Sequence, residues 1–180
     1  NGKPVSRIIN RRNFWKKEFA LNDETLDPRS DSETLIETII EQYKDKSQFL
    51  KILDLGSGSG CLGLSLLDEY PQSEASFFDI SPKSLEMVKK NALNLGLSER
   101  SKYVNLNWKV DGWDEKLLTI EKNMKYDVII YTPSVCMGVS FDVPNYFDKI
   151  YAYGCHQSLG SQEFAQMLHR VRTPKTKEII

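Results

Sequence analysis

Two kinds of apolar pattern alternate along the chain. Short, nearly continuous runs lie at Leu50 to Leu55, at Ala75 to Ile80 and at Asp127 to Tyr131. Between them, apolar residues recur every three or four positions. Leu35, Ile36, Ile39, Ile40 and Tyr43 form one such set, Leu62, Leu66 and Leu67 a second, and Leu85, Val88, Ala92 and Leu95 a third. The first pattern predicts buried strands and the second predicts helices with one buried face. Punctuation agrees: Asp31 or Ser32 is placed to cap the first helix, and Pro71-Gln72-Ser73 stops the second. Ser81-Pro82 opens the third, with Ser as cap and Pro in the first turn, and Gly96 ends it.

A less regular strand is expected from Tyr103 to Val110. Strands that alternate with helices imply crossover connections, hence an α/β fold with a mostly parallel sheet and helices on both faces. Before this core, Arg7 to Asn10 and Phe14 to Leu21 predict a small β-hairpin, followed by an extended stretch at Leu26-Asp27-Pro28-Arg29. The expected organisation is a hairpin and extended segment over residues 1–30 and one α/β domain over 31–180. Beyond Pro133 the pattern weakens. Phe164, Met167, Leu168 and Val171 suggest one more helix, and Lys177 to Ile180 the beginning of a further strand.

With 180 residues the chain suits a single core, and 24 basic against 25 acidic residues leave it nearly neutral. That balance gives no ground for a nucleic-acid or membrane-surface protein. No apolar run approaches the ~20 residues needed to span a bilayer, and no secretory signal is visible. The chain opens at Asn1 rather than Met, so a fragment is expected. Cys61, Cys136 and Cys155 are odd in number and unpaired in spacing, which points to a reducing compartment and away from disulfides. Cys136 and the pair Cys155-His156 lack the spacing of metal ligands, so no metal is expected. Neither His156 nor His169 is assigned as a base. The early cations Lys3, Arg7, Arg11, Arg12, Lys16 and Lys17 read as the solvated face of a hairpin, the alternative being contact with an RNA-containing or acidic partner.

Candidate chemistry gathers at Asp54-Leu55-Gly56-Ser57-Gly58-Ser59-Gly60, between the first core strand and its helix. A glycine loop there lets a ligand approach the backbone and the helix N-terminus closely. A dinucleotide loop would need Gly-x-Gly-x-x-Gly, but Cys61 occupies the third glycine's place. The Gly-x-Gly-x-Gly spacing after an acid fits S-adenosylmethionine better, since that molecule has no pyrophosphate to cradle. Asp79, ending the second strand, is expected to accept the two ribose hydroxyls, or else simply to cap the Ser81-Pro82 helix. Asp54 either holds the amino group of the methionine part or braces the loop. Asp111, Trp108 and especially Trp113 are candidates to border the adenine ring.

Lys3-Pro4-Val5-Ser6-Arg7-Ile8-Ile9, Phe14-Trp15, Glu18-Phe19 and above all Asp27-Pro28-Arg29-Ser30-Asp31-Ser32-Glu33-Thr34-Leu35-Ile36-Glu37 resemble the HemK/PrmC family of protein glutamine methyltransferases. Ile52 to Leu62 and Lys89-Lys90-Asn91-Ala92 resemble it too, so that the likeness covers residues 3–131. The resemblance implies a Rossmann-like class I methyltransferase fold and S-adenosyl-L-methionine as methyl donor. It also implies a partner and substrate: the peptide chain release factor, methylated on the glutamine side-chain amide of its Gly-Gly-Gln (GGQ) domain. A cytoplasmic location follows, or the mitochondrial matrix in a eukaryote. The family has a preceding helical domain and a seven-stranded sheet. Four strands and the beginning of a fifth are legible here, so a chain lacking C-terminal strands is expected.

One segment departs from the family. Its fourth strand ends in Asn-Pro-Pro-Tyr, whose Asn side chain and proline carbonyl accept the hydrogens of the target amide. Positioning of that kind supplies about 7–11 kcal/mol in favourable systems. Here the corresponding residues are Thr132-Pro133-Ser134-Val135. Thr132, Pro133, Ser134 and Val135 are therefore the candidate catalytic set, with Thr132 also beside the cofactor. Thr132 offers a hydroxyl in place of a planar amide. Alternative expectations are an impaired or truncated relative acting as a binding module, and an amino-methyltransferase of a nucleobase.

Overall fold

The computed structural model describes residue 2, residues 4–105 and residues 126–131, and it places two further short strands at Lys149–Ile150 and Thr176–Lys177. The first unit begins with a short helix, α1 (Val5–Ile9), and a hairpin, β1 (Arg11–Phe14) and β2 (Lys17–Ala20). It continues through α2 (Glu33–Gln42), β3 (Lys51–Leu55), α3 (Cys61–Glu69), β4 (Glu74–Asp79), α4 (Pro82–Asn94), β5 (Ser101–Asn105) and β6 (Val128–Tyr131). β3 to β6 form a parallel sheet in the order β5-β4-β3-β6, flanked by helices. The chain thus steps outward from β3 through β4 to β5, then returns to the other side of β3. Such a reversal opens a crevice at the carboxyl ends of the strands, where ligands bind in folds of this type. The second unit contributes a parallel pair, β7 (Lys149–Ile150) and β8 (Thr176–Lys177). Of the strand expected from Lys177 to Ile180 only Lys177 is described, at the end of β8, and the helix expected around Phe164 lies outside the described residues.

Each core element follows from its pattern. In β3, Ile52, Leu53 and Leu55 are wholly buried, and each such aliphatic contributes about 1.5–3 kcal/mol relative to exposure. Helix α4 is delimited by chemistry at both ends. The Ser81 hydroxyl accepts the Ser84 N–H at 3.2 Å, with Pro82 at the first helical position. At the other end Gly96 (φ +72°) donates to the Leu93 carbonyl and Leu97 donates to that of Ala92. This paired closure satisfies two terminal carbonyls while Leu97 is buried.

Two expectations are corrected. Residues 5–9 are a helix rather than the first strand of the hairpin. Arg7 decides this: it donates to the carbonyls of Asn22 (2.6 Å) and Thr25 and pairs with Asp27 at 2.9 Å. Ser6 also donates to Asp27, at 2.6 Å. These contacts outweigh the strand preference of Ile8 and Ile9. Asn10, in the left-handed region at φ 53°, ends the helix. The second correction concerns Ser32, which makes no side-chain cap on α2. A 3-10 turn at Ser30–Ser32 leads into the helix and holds Ser32 in helical φ/ψ, where a capping hydroxyl is misdirected.

The hairpin is anchored through its turn. Trp15, at φ 53°, donates its backbone N–H to Glu33 and its indole N–H to Glu69, both at 2.8 Å. Glu69 also receives Lys16 at 2.5 Å and Lys46 at 3.2 Å. Burial opposes its ionisation, but the bonds from Lys16, Trp15 and Lys46 prevail and bring its carboxyl down to about 2.

Candidate functional site

The loop after β3 is held from below by β4. Gly56 and Ser57 donate their backbone N–H groups to the Phe78 carbonyl at 2.8 and 3.1 Å, and Gly60 donates to Ser57 at 2.7 Å. All three loop glycines hold positive φ, Gly56 at 72° among them. Gly60 has φ +77°, and a Cβ there would lie 2.9 Å from Val88 Cγ1 and 3.1 Å from Leu64 Cδ1. Gly58 has φ +56°, but a Cβ there would meet nothing within 4 Å. The outer side of the loop at Gly58 is thus open for a ligand to approach the backbone.

Asp79, a buried carboxylate, is bonded to the loop at this same glycine. One carboxylate oxygen accepts the Gly58 N–H at 2.9 Å and the other accepts the Ser81 N–H at 2.9 Å. The side chain therefore braces both the loop and the entry to α4. An ionised carboxylate has about four acceptor positions, so one on each oxygen is left for the hydroxyls of a diol. Asn105 at the end of β5 secures the turn after Asp79 by donating to the carbonyls of Asp79 and Ile80 at 2.9 and 3.0 Å.

Asp54 lies beneath the loop and is 1% exposed. It accepts the Gly63 N–H at 3.1 Å in the first turn of α3, a turn that lacks any cap from Gly60. Burial, opposed by the Gly63 bond and reinforced by Asp79, pushes the Asp54 carboxyl up to about 7. Gly63 makes the approach possible: a Cβ there would come within 2.6 Å of Phe77 and 2.9 Å of the Asp54 carboxylate. It permits the close helix–strand packing that the third glycine gives in dinucleotide folds. Burial drives the Cys61 thiol up to about 12, which removes it as a nucleophile.

Asp54, Gly56, Ser57, Gly58, Ser59, Gly60 and Asp79 are thus brought together at the carboxyl edge of β3 and β4. Trp113, Thr132, Pro133, Ser134 and Val135 lie outside the described residues, as do Trp108, Asp111, His156, His169, Cys136 and Cys155. Among the described residues no cluster of potential metal ligands occurs, and no helix is long and apolar enough to cross a membrane. Most of the early cations are engaged within the fold. Arg7 pairs with Asp27, Arg11 with Glu18, Lys16 with Glu69 and Lys17 with Asp68. A cavity of about 410 Å³ lies between the hairpin and α4, lined by residues including Arg11, Glu18, Ala20, Lys90 and Asn94, away from the glycine loop.

Sequence reasoning missed Gly63 and Asn91 as parts of this arrangement. Asn91 carried a legible signal: it interrupts the apolar stripe Leu85, Val88, Ala92, Leu95 of α4 and is 1% exposed. A buried amide within a helix needs partners from other elements.

Comparison with known proteins fixes the family. The sequence model of the methyltransferase small domain matches residues 23–144. The chain belongs to that family. This methyltransferase small domain is 41% identical over 105 residues to the release factor glutamine methyltransferase of Bradyrhizobium diazoefficiens, covering 57% of this chain and 35% of the relative. To the release factor glutamine methyltransferase of Agrobacterium fabrum it is 35% identical over 137 residues, covering 73% and 43%. The methyltransferase small domain therefore spans less than half the length of these curated relatives. Among solved structures it is similar to the METTL16 MTase domain, with TM-score 0.53 and 21% identity over 65% of this chain and 46% of that one. The likeness shows a shared Rossmann-like methyltransferase fold. A model described as an origin of replication binding protein also matches residues 113–180, which are fewer than half of the chain.

Proposed function

We propose that this chain binds S-adenosyl-L-methionine at the loop Gly56–Gly60 and transfers its methyl group to the side-chain amide nitrogen of the glutamine in the GGQ motif of a peptide chain release factor. The observation that carries the reading is the Gly58–Asp79 pairing. An open glycine turn stands beside a carboxylate with acceptor capacity to spare, as a ribose diol needs. Similarity to the release factor glutamine methyltransferases supports the substrate. When bound, the cofactor supplies a methyl group activated by its sulfonium centre. The chain's own residues then have three tasks. Asp79 accepts from the ribose. Asp54 and Gly63 keep the first turn of α3 in place beneath the loop. Thr132, Pro133, Ser134 and Val135 orient the amide, and Trp113 borders the adenine. On this reading residues 1–30, which hold α1 and the hairpin β1–β2, lead into the catalytic domain of residues 31–180, and the protein works where release factors do, in the cytoplasm or the mitochondrial matrix.

The segment Thr132–Val135 favours a second reading, a cofactor-binding relative with impaired transfer, since the family's Asn and Tyr are absent from it. Radiolabelled cofactor and a GGQ release-factor domain separate the two. Label is expected on the glutamine, more slowly than after the triple change Thr132→Asn, Ser134→Pro and Val135→Tyr. S-Adenosylhomocysteine binding without transfer supports the second reading. Absence of binding to the folded wild type, or unchanged binding in Asp79→Ala, refutes both.

A further inference from the structure

We infer that Asn91 is a positioning residue that couples the N-terminal hairpin to the glycine loop and thereby sets the affinity of the loop for its ligand. The proposal rests on the cofactor reading above. It goes beyond it by assigning a role to a residue that touches neither the loop's open side nor Asp79.

The geometry is specific. Asn91 sits within α4 and uses both hydrogens of its amide nitrogen as well as its amide oxygen. Its Oδ1 accepts the backbone N–H of Ala20 at 2.9 Å, and its Nδ2 donates to the Ala20 carbonyl at 3.0 Å and to the Ser59 carbonyl at 2.9 Å. The first two bonds copy the pairing of a neighbouring strand, so the side chain occupies the ladder position beside Ala20 on β2. The third bond holds the loop between its second and third glycines. Gly60 and Gly58 are flanked by this anchor, and Gly60 also packs on Val88, one turn earlier in α4. A single planar amide therefore joins three segments distant in sequence: hairpin, helix and ligand loop. Aspartate would keep the acceptor but lose both donations, and leucine would lose all three. A glycine loop has little intrinsic preference for one conformation, so an anchor at Ser59 decides how much ordering is left for the ligand to do.

The test measures S-adenosylhomocysteine affinity by calorimetry, with backbone amide hydrogen exchange as a second readout. Asn91→Ala is expected to raise Kd at least tenfold and to speed exchange at Gly58 and Gly60. Ser73→Ala is the control. It also removes a buried hydrogen bond, between the Leu50 N–H and the Ser73 hydroxyl at 2.8 Å, and should leave Kd within twofold. Coupling is reciprocal, so in the wild type the ligand should slow exchange of the Ala20 N–H. This last measurement needs no variant and stands if Asn91→Ala fails to fold. Kd within twofold for folded Asn91→Ala overturns the proposal, as does an equal loss in Ser73→Ala or an Ala20 exchange rate indifferent to ligand. If the wild type binds no S-adenosylhomocysteine, the cofactor reading fails. The anchoring of the loop is then judged separately, from Gly58 and Gly60 exchange in Asn91→Ala, and unchanged exchange there overturns it too.

Discussion

Asp54→Asn should flatten the dependence of stability on pH above pH 5. Asp54 is 1% exposed, and burial is the largest influence on it, with the Gly63 bond opposing and the Asp79 charge adding; the result is a carboxyl raised from 3.8 to about 7. A raised value in the folded state means that folding favours the protonated form. Its contribution to stability is complete below the unfolded value near 3.8, is withdrawn as pH rises, and is gone above about 7. Roughly three pK units at about 1.4 kcal/mol each give a total on the order of 4 kcal/mol, of which somewhat more than half falls between pH 5 and pH 8. For a chain of this size that corresponds to a fall in melting midpoint of about 5–10 °C. Asparagine has nearly the same volume, keeps an acceptor for the Gly63 N–H and does not ionise over this range. Melting of both proteins is followed by circular dichroism from pH 5 to pH 8 at constant ionic strength without ligand. The wild type is expected to lose stability relative to the variant by about the amount above. Curves that stay parallel to within about 0.5 kcal/mol would refute the assignment of a buried, titrating carboxyl beneath the loop.

Further outcomes follow from the same contacts. Gly60→Ala should destabilise by about 2–5 kcal/mol, combining about 1–2 for left-handed backbone with about 1–3 for crowding against Val88, whereas Gly58→Ala carries only the backbone part. Urea unfolding compares the two, and equal losses contradict the crowding. For Glu69, burial works against the charge but three hydrogen bonds hold its value down to about 2. Its contribution is thus present above about 4.5 and disappears as pH falls toward 2. Wild type should exceed Glu69→Gln in melting temperature by a constant margin at pH 6–8 that shrinks at pH 3, and an undiminished margin at pH 3 contradicts the network.

Where a signal was local, sequence sufficed. β3, α3, β4 and α4 fall within a residue or so of their expected limits because burial imposes periods of two and 3.6 and because Ser81, Pro82 and Gly96 act on their immediate neighbours. The alternation of these elements likewise implied the parallel sheet. Local reading failed at Val5–Ile9, where bonds from Arg7 to residues 15 to 20 positions away determine a helix.

The residue types at the candidate site were determined by the sequence: a glycine loop between strand and helix, with an acid in the last two residues of each of two adjacent strands. Their use was decided by tertiary structure. Only the folded chain sets Gly58 against Asp79, Asp54 against Gly63, and Asn91 between Ser59 and Ala20. The physical reason is that a buried polar group is satisfied by whatever partner the packing brings to it. Side-chain spacing along one helix or strand records which face is buried, but not which distant donor or acceptor will meet it there.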